Sequence, residues 1–338
     1  PDYSATLYRS RNGGPHCRAD DVNDFCHVHT NSGILNHFFF LLARGGQNPR
    51  DEQDTRVGVS PYTHGIGIAK AMGIWYGATL GGGAYRITSR STFRDLRNAT
   101  IRVAQQRFPE IDGVCSTQVL AVLDAWDKTG WTDTPNPALD MTACSGQTNL
   151  VRNGTLENGA SRTSTGYLVS DWVLEPASYG FPPPRELGAS FQVNSRSTDE
   201  MLSAFLGGTG VESRNRVSTT ISFPQSETTA AHLRFVTDRV VNAVDLSEEG
   251  DARDTLTIEI VTTGRTVFES EQTVFERTIA STELRSSAGK PVHWNLALNA
   301  EQRAALNGQN ARIRFTYNEN NGVATKAVVD AVSLVIAE

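Results

Sequence analysis

The hydrophobic period of this chain changes once, and that change limits the fold more than any other feature. Before Trp131 apolar residues recur at three- and four-residue spacing, the mark of helices with one buried face. From Asn149 onward they recur at every second residue, the mark of strands with one face turned inward. No single layer satisfies both periods, so the chain needs two cores, and its 338 residues are enough to build them.

In the first region, residues 33–43 read as a buried helix. Ile34, Leu35, Phe38, Phe39, Leu41 and Leu42 cover most of its circumference, and Gly45-Gly46 ends it. A second helix is expected over Ile66–Thr79, with Ile68, Met72, Trp75 and Tyr76 at helical spacing. Thr92 is placed to cap a third, with Asp95 as the reciprocal acid of a capping box, and a fourth starts near Ser116. Residues 132–146 contain Pro135 and Pro137 and show no period, so they read as a linker.

In the second region, Leu256/Ile258/Ile260, Val292/Trp294/Leu296/Leu298, Ile313/Phe315/Tyr317 and Val332/Leu334/Ile336 alternate as strands. The expected architecture is therefore a multidomain α and β chain. It comprises a helical unit over 1–131, the linker, and a β-sandwich of jelly-roll or immunoglobulin-like type over 147–338.

Charge supports the division. The net charge of −6 comes from +2 before Trp131 and −8 after it, as expected of two modules with separate histories. No basic cluster interleaves with aromatics, so nucleic acid is not an expected partner. The longest apolar stretch, residues 33–43, is too short to span a bilayer. Cys17, Cys26, Cys115 and Cys144 form two local groups, which fits the pairs Cys17–Cys26 and Cys115–Cys144 and a secreted protein. Four buried or metal-bound thiols are the alternative, disfavoured by the lack of a CxxC.

The histidines point to chemistry. Val28-His29-Thr30-Asn31-Ser32-Gly33-Ile34, then Asn36 and Leu41-Leu42-Ala43-Arg44-Gly45-Gly46, resembles the C-terminal lobe of the thermolysin-like zinc metallopeptidases. Gly65-Ile66-Gly67 with Lys70, Thr92-Phe93-Arg94-Asp95-Leu96-Arg97 and Ala125-Trp126-Asp127-Lys128-Thr129-Gly130 follow in the family's order, so the resemblance covers residues 3–131. It implies peptide-bond hydrolysis. In that family a histidine at the position of His29 donates a hydrogen bond to the oxyanion of the transition state, and an acid at the position of Asp24 orients it. An arginine at the position of Arg9 binds a substrate carbonyl. A donor aimed at developing charge is worth roughly 3 kcal/mol. Taken alone, His29 would read as a buried structural histidine. An independent HxH metal site of His27 and His29 with His16 carries little weight.

The resemblance also leaves something out. The sequence contains no HExxH and no downstream helical glutamate, so the Zn²⁺ ligands and the general base are not in this chain. The chain opens at Pro1 rather than Met, and an N-terminal segment or a companion chain is expected to carry HExxH. Residues Asn149–Gly159 and Val328–Leu334 resemble the first and last strands of galactose-binding-like or carbohydrate-binding jelly rolls. That resemblance brings Glu157 and Asp330 together as ligands of a structural Ca²⁺, the alternative being two solvated turn acids. Trp172, Tyr179 and Trp294 are candidates for stacking on sugars, against their ordinary use as core. Two functions follow: the C-terminal portion of a secreted zinc metalloendopeptidase acting on protein or peptide, or an inactive remnant that binds glycan or a cell surface.

Overall fold

A computed structural model describes residues 24–47, 62–80, 87–88, 91–111, 114–129, 144, 146–152, 154, 156, 161–163, 166–169, 171–179, 189–193, 202–208, 212–241, 254–262, 271–320 and 325–337. The chain divides into two compact units, Pro1–Ser145 and Gly146–Glu338. Among the described residues the first unit holds helices α1 (Asp24–Arg44), α2 (Ile68–Leu80), α3 (Phe93–Arg107) and α4 (Thr117–Lys128). Two short paired strands, β1 (Gly46–Gln47) and β2 (Tyr62–Thr63), join the first two helices.

Each helix ends where its sequence provides a partner. The N–H of Thr92 reaches the Asp95 carboxylate at 2.7 Å, while the Asp95 N–H donates to the Thr92 hydroxyl at 3.3 Å, so the capping box on α3 is complete. Ser116 caps α4 by accepting from the Val119 N–H. At the end of α1, Gly45 adopts φ +70°, and the N–H groups of Ile66 and Gly67 satisfy the carbonyls of Leu42 and Ala43. Gly65 makes this crossing feasible, because a Cβ there would run into the Arg44 backbone. The two glycine motifs thus form one joint, with the start of α2 lying across the end of α1. Inside, Phe38 stacks on Trp126 with ring centroids 4.2 Å apart, and the Trp126 indole N–H donates to the Thr100 hydroxyl.

One expectation needs correction. The helix expected over 33–43 begins at Asp24, so it also takes in residues 24–32.

The second unit is a two-sheet sandwich. Its strands are β3 (Gln147–Asn149), β4 (Ser161–Thr163), β5 (Gly166–Leu168), β6 (Trp172–Tyr179), β7 (Ala189–Val193), β8 (Leu202–Gly207), β9 (Ser213–Ser222), β10 (Ala230–Val241), β11 (Thr255–Thr262), β12 (Gln272–Ala280), β13 (Val292–Ala297), β14 (Asn310–Glu319) and β15 (Thr325–Ala337). One sheet runs β13-β10-β15-β8-β7-β5-β4, with β3 beside the far end of β15; the other runs β12-β11-β14-β9-β6. From β8 to β15 the chain passes repeatedly from one sheet to the other, the jelly-roll manner of closing a sandwich. A short helix, α5 (Ala300–Leu306), separates β13 from β14.

The alternating residues face inward as their period requires. Leu256, Ile258, Ile260, Ile313 and Phe315 from one sheet meet Leu233, Phe235, Leu334 and Ile336 from the other, all buried in one core. Phe235 meets Phe315 edge-on at 5.3 Å. Leu298, counted with β13 by its alternation, lies just past that strand, with its N–H still bonded to the Ala231 carbonyl.

Candidate functional site

The exposed face of α1 carries His29, Ser32, Asn36 and Phe40, spaced three and four residues apart as one helical stripe. The opposite face supplies Ile34, Phe38, Leu41 and Leu42 to the core, so the aromatic packing of Phe38 fixes how the stripe is presented. The Ser32 hydroxyl donates to the His29 carbonyl at 2.7 Å. Asp24 is the first residue of the helix, five positions before His29. Five residues on a continuous helix correspond to about 140° of rotation and 7.5 Å of rise. Arg9, Cys17 and His16 lie outside the described residues.

A second ionisable feature of this unit is Asp124 on α4. Burial raises its carboxyl from the usual range to about 7; neighbouring Asp127 pushes in the same direction, and Lys128 opposes both. Among the described residues no group of three or more His, Cys, Asp or Glu side chains could hold a metal ion, so no zinc site is found there.

In the sandwich, Asp330 is buried on β15. Its carboxylate accepts from the Ser203 hydroxyl at 3.2 Å and from the N–H of Ala331. It lies at a β-bulge, because the register of β10 against β15 shifts between Arg234 and Val236 while Ala331 takes φ +49°. The segment after β3 continues alongside. The Leu150 N–H bonds to the Leu334 carbonyl, and the Val332 N–H bonds to the Gly154 carbonyl. Asn149 secures the turn with one side-chain oxygen that accepts from both Val151 and Leu334 N–H groups. The first and last strands of the sandwich are thus neighbours, and Gly154 meets Val332, two residues from Asp330. Glu157 lies outside the described residues.

Trp172 and Trp294 pack in and against the core. Trp172 is only 6% exposed and packs near Phe315, and Trp294 stacks on Phe235 while its indole N–H donates to Thr237. The Tyr179 side chain is outside the described residues. A cavity of about 400 Å³ opens at the β6 side of the five-stranded sheet. It is lined by Asp171, Trp172, Val173, Ser218, Thr220 and Arg312. Arg312 is held by Glu271 at 3.2 Å, and Glu271 also pairs with Arg314 at 2.6 Å.

One buried polar cluster escaped the reading of the sequence, which counted Tyr317 only as an inward strand residue. Its hydroxyl donates to the fully buried Asp254 at 3.2 Å, and next to it Ser213 donates to the buried Glu319 at 3.1 Å. Burial and the two carboxylates push the Tyr317 phenol well above its usual range. The cluster ties the ends of β9, β11 and β14 together. Only alternation was available to place these residues, and alternation carries no record of what an inward polar group meets.

Residues 7–130 match the family described as thermolysin metallopeptidase, alpha-helical domain. Solved structures also match part of the chain at low identity. A CBM61 module in complex with β-1,4-galactotriose is 8% identical, with 55% of this chain and 97% of that one covered at a TM-score of 0.33. An apo-form cyclase from Fischerella sp. is 15% identical over 57% and 99%, at 0.36. A CBM4 structure is 14% identical over 48% and 93%, at 0.29.

Proposed function

We propose that a helical unit matching the thermolysin metallopeptidase α-helical domain makes this chain the C-terminal portion of a secreted zinc metalloendopeptidase. The observation that carries the reading is the family match across residues 7–130 together with an exposed His29 on α1. Zinc in such an enzyme polarises the scissile carbonyl and activates water, and its ligands and the base belong to an N-terminal segment or companion chain bearing HExxH. The contribution of this chain is the donor. A neutral or protonated imidazole of His29 offers an N–H to the carbonyl oxygen as negative charge gathers there. Its strength as a catalyst comes from a bond that is short only in the transition state.

Asp24 is assigned to orient that imidazole and Arg9 to hold a substrate carbonyl. In the complete protein, His29→Ala is expected to lower kcat by about 10²–10³ with little change in KM, as loss of an oxyanion donor does. Asp24→Asn should act in the same direction with a smaller effect. Steady-state kinetics on a quenched peptide would check both. Unchanged turnover in His29→Ala, or a complete protein that carries no stoichiometric zinc, would overturn the assignment.

For the sandwich we assign an accessory role, with Asp330 and Glu157 as ligands of one structural Ca²⁺. The buried carboxylate of Asp330 fits a hard cation, and the bond of Gly154 to Val332, two residues from Asp330, is what supports Glu157 as its companion. The second reading, a binding protein without peptidase activity, is favoured by the cavity beside β6. Its hydroxyl, carboxylate and guanidinium lining suits a polyhydroxylated ligand such as a glycan. Titration calorimetry with oligosaccharides against the wild type and Thr220→Trp, which fills the cavity, tests it.

A further inference from the structure

One end of the sandwich core is closed by acids rather than by hydrocarbon. Thr255 of β11 pairs with Asn318 of β14, so the preceding residue, Asp254, falls opposite Glu319, and Glu319 pairs with Ser213 of β9. These three make one cross-strand row on the face that turns Leu256, Phe315 and Val217 into the core. The next row inward is Leu256, Tyr317 and Asn215. Opposed residues hold their Cβ atoms about 5 Å apart, and like charges so placed repel. Asp254 and Glu319 are 0% and 1% exposed, so solvent screens neither.

The hydrogen bonds of the second row leave one oxygen over. Ser213 carries a single hydroxyl hydrogen, which it gives to Glu319 at 3.1 Å. Asn215 therefore offers Ser213 its amide N–H, at 2.9 Å, and this bond fixes which way round the amide lies. The Oδ1 of Asn215 then has no hydrogen-bond partner among the described residues, although Asn215 is 0% exposed. A buried acceptor in that state calls for a bound ion or water. Across the ladder from Asn215, Tyr317 donates its hydroxyl hydrogen to Asp254 at 3.2 Å, and the Asn320 N–H reaches the other carboxylate oxygen at 2.8 Å. Gly207 of β8, at φ +86°, holds that tyrosine in place, since even a Cβ there would lie 2.6 Å from its ring. The two rows thus present two carboxylates and one amide oxygen in fixed positions, all of them acceptors.

We propose that Asp254, Glu319 and the Oδ1 of Asn215 bind an alkali-metal cation, Na⁺ or K⁺, inside this end of the sandwich. Oxygen donors of this kind select a hard cation. Ca²⁺ draws on about six to eight oxygens. Two acids and one amide suit a single positive charge better, with Arg239 of β10 close enough to act on Tyr317 against both carboxylates. The ion binds only where β9, β11 and β14 are paired, so it stabilises the folded sandwich by mass action. Asp330 lies on β15 in the other sheet, and its proposed Ca²⁺ is a different site.

Scanning calorimetry of the full chain tests the proposal at constant chloride and ionic strength, with EGTA present throughout to keep Ca²⁺ out of the comparison. Replacing tetramethylammonium chloride by NaCl or KCl should raise the sandwich transition by about 3–6 °C when the salt is about tenfold above its Kd, and the two arms rank the ions. Glu319→Gln keeps the shape and the acceptor for Ser213 but removes one charge. It should melt higher than the parent in tetramethylammonium and lose the response to Na⁺ and K⁺. Asn215→Leu should lose the response without that gain. A parent that melts at one temperature in all three salts would overturn the proposal. So would a Glu319→Gln variant that keeps the full response, because the response would then be a general salt effect on burial.

Discussion

The two units finish their burial differently. In the sandwich, both sheets turn their alternating residues onto one another, and among the side chains described there the only large apolar one that is strongly exposed is Val173. In the helical unit, Phe40, Ile68, Tyr76 and Leu80 are all about half exposed or more, although Phe38, Trp126 and Ile74 are fully buried beside them. A sheet pair can close a core from its own two faces. A helical layer closes only the faces that meet a neighbour. This contrast agrees with the proposed assignment of the missing metal ligands to another polypeptide segment, and it predicts that the units respond differently to damage.

The largest expected effect comes from cutting into each core in turn. Phe38→Ala removes the ring stacked on Trp126, and Phe315→Ala removes the ring shared by Phe235 and Trp172. Each deletion should cost about 3–5 kcal/mol in the unit that contains it. Differential scanning calorimetry should then show one transition moving in each variant while the other stays. If both transitions move together in both variants, the units are not energetically separate, and the comparison between them fails.

The same contrast governs what the sequence disclosed. Alternation located β11, β14 and β15, because a strand with one buried face records that burial at every second residue. The caps at Thr92 and Ser116 were legible because capping depends on residues three apart. The first turns of α1 were not. Cys26, His27, Val28, His29, Thr30 and Asn31 have modest helix propensity and show no apolar stripe, so only tertiary context extends the helix back to Asp24. α5 was missed for another reason: its Asn299–Gln302 capping box is clear, but seven residues are too few for a period to show. For the candidate site, His29 was found through a segment resemblance, since its own neighbours carry no geometric signal. The Asp254–Tyr317 and Ser213–Glu319 bonds join residues 63 and 106 positions apart, beyond the reach of any local pattern.

A middle-sized effect would sharpen the sandwich side. If Asp330 and Glu157 share a Ca²⁺, the ion stabilises only the folded sandwich, by about 2.7 kcal/mol when free Ca²⁺ is a hundredfold above its Kd. Adding EGTA should lower the sandwich transition and leave the helical transition in place. Asp330→Asn should remove the sensitivity to chelation. Its residual loss of stability would come from the hydrogen bonds to Ser203 and Ala331. A transition indifferent to both Ca²⁺ and EGTA would return Asp330 to a purely structural role at the bulge.

The smallest effect belongs to the helical unit and is read through pH. Asp124 is held at about 7 in the folded state, mainly by burial, against 3.8 for an ordinary aspartate. Because the folded state keeps this proton where the unfolded state has lost it, the group makes stability fall as pH rises from about 4 through 7, and the loss is complete above that. Partial exposure and the nearby Lys128 reduce the cost, so a loss of about 1–2 kcal/mol is expected. Asp124→Asn keeps the shape and removes the charge. It should leave the helical transition little changed near pH 3.5, raise it at pH 8, and flatten the slope between. The sandwich transition should be unaffected by the substitution at either pH. A variant that melts like the parent across the whole range would mean that Asp124 ionises in water-like surroundings, and that the inner face of α4 is more open than its burial implies.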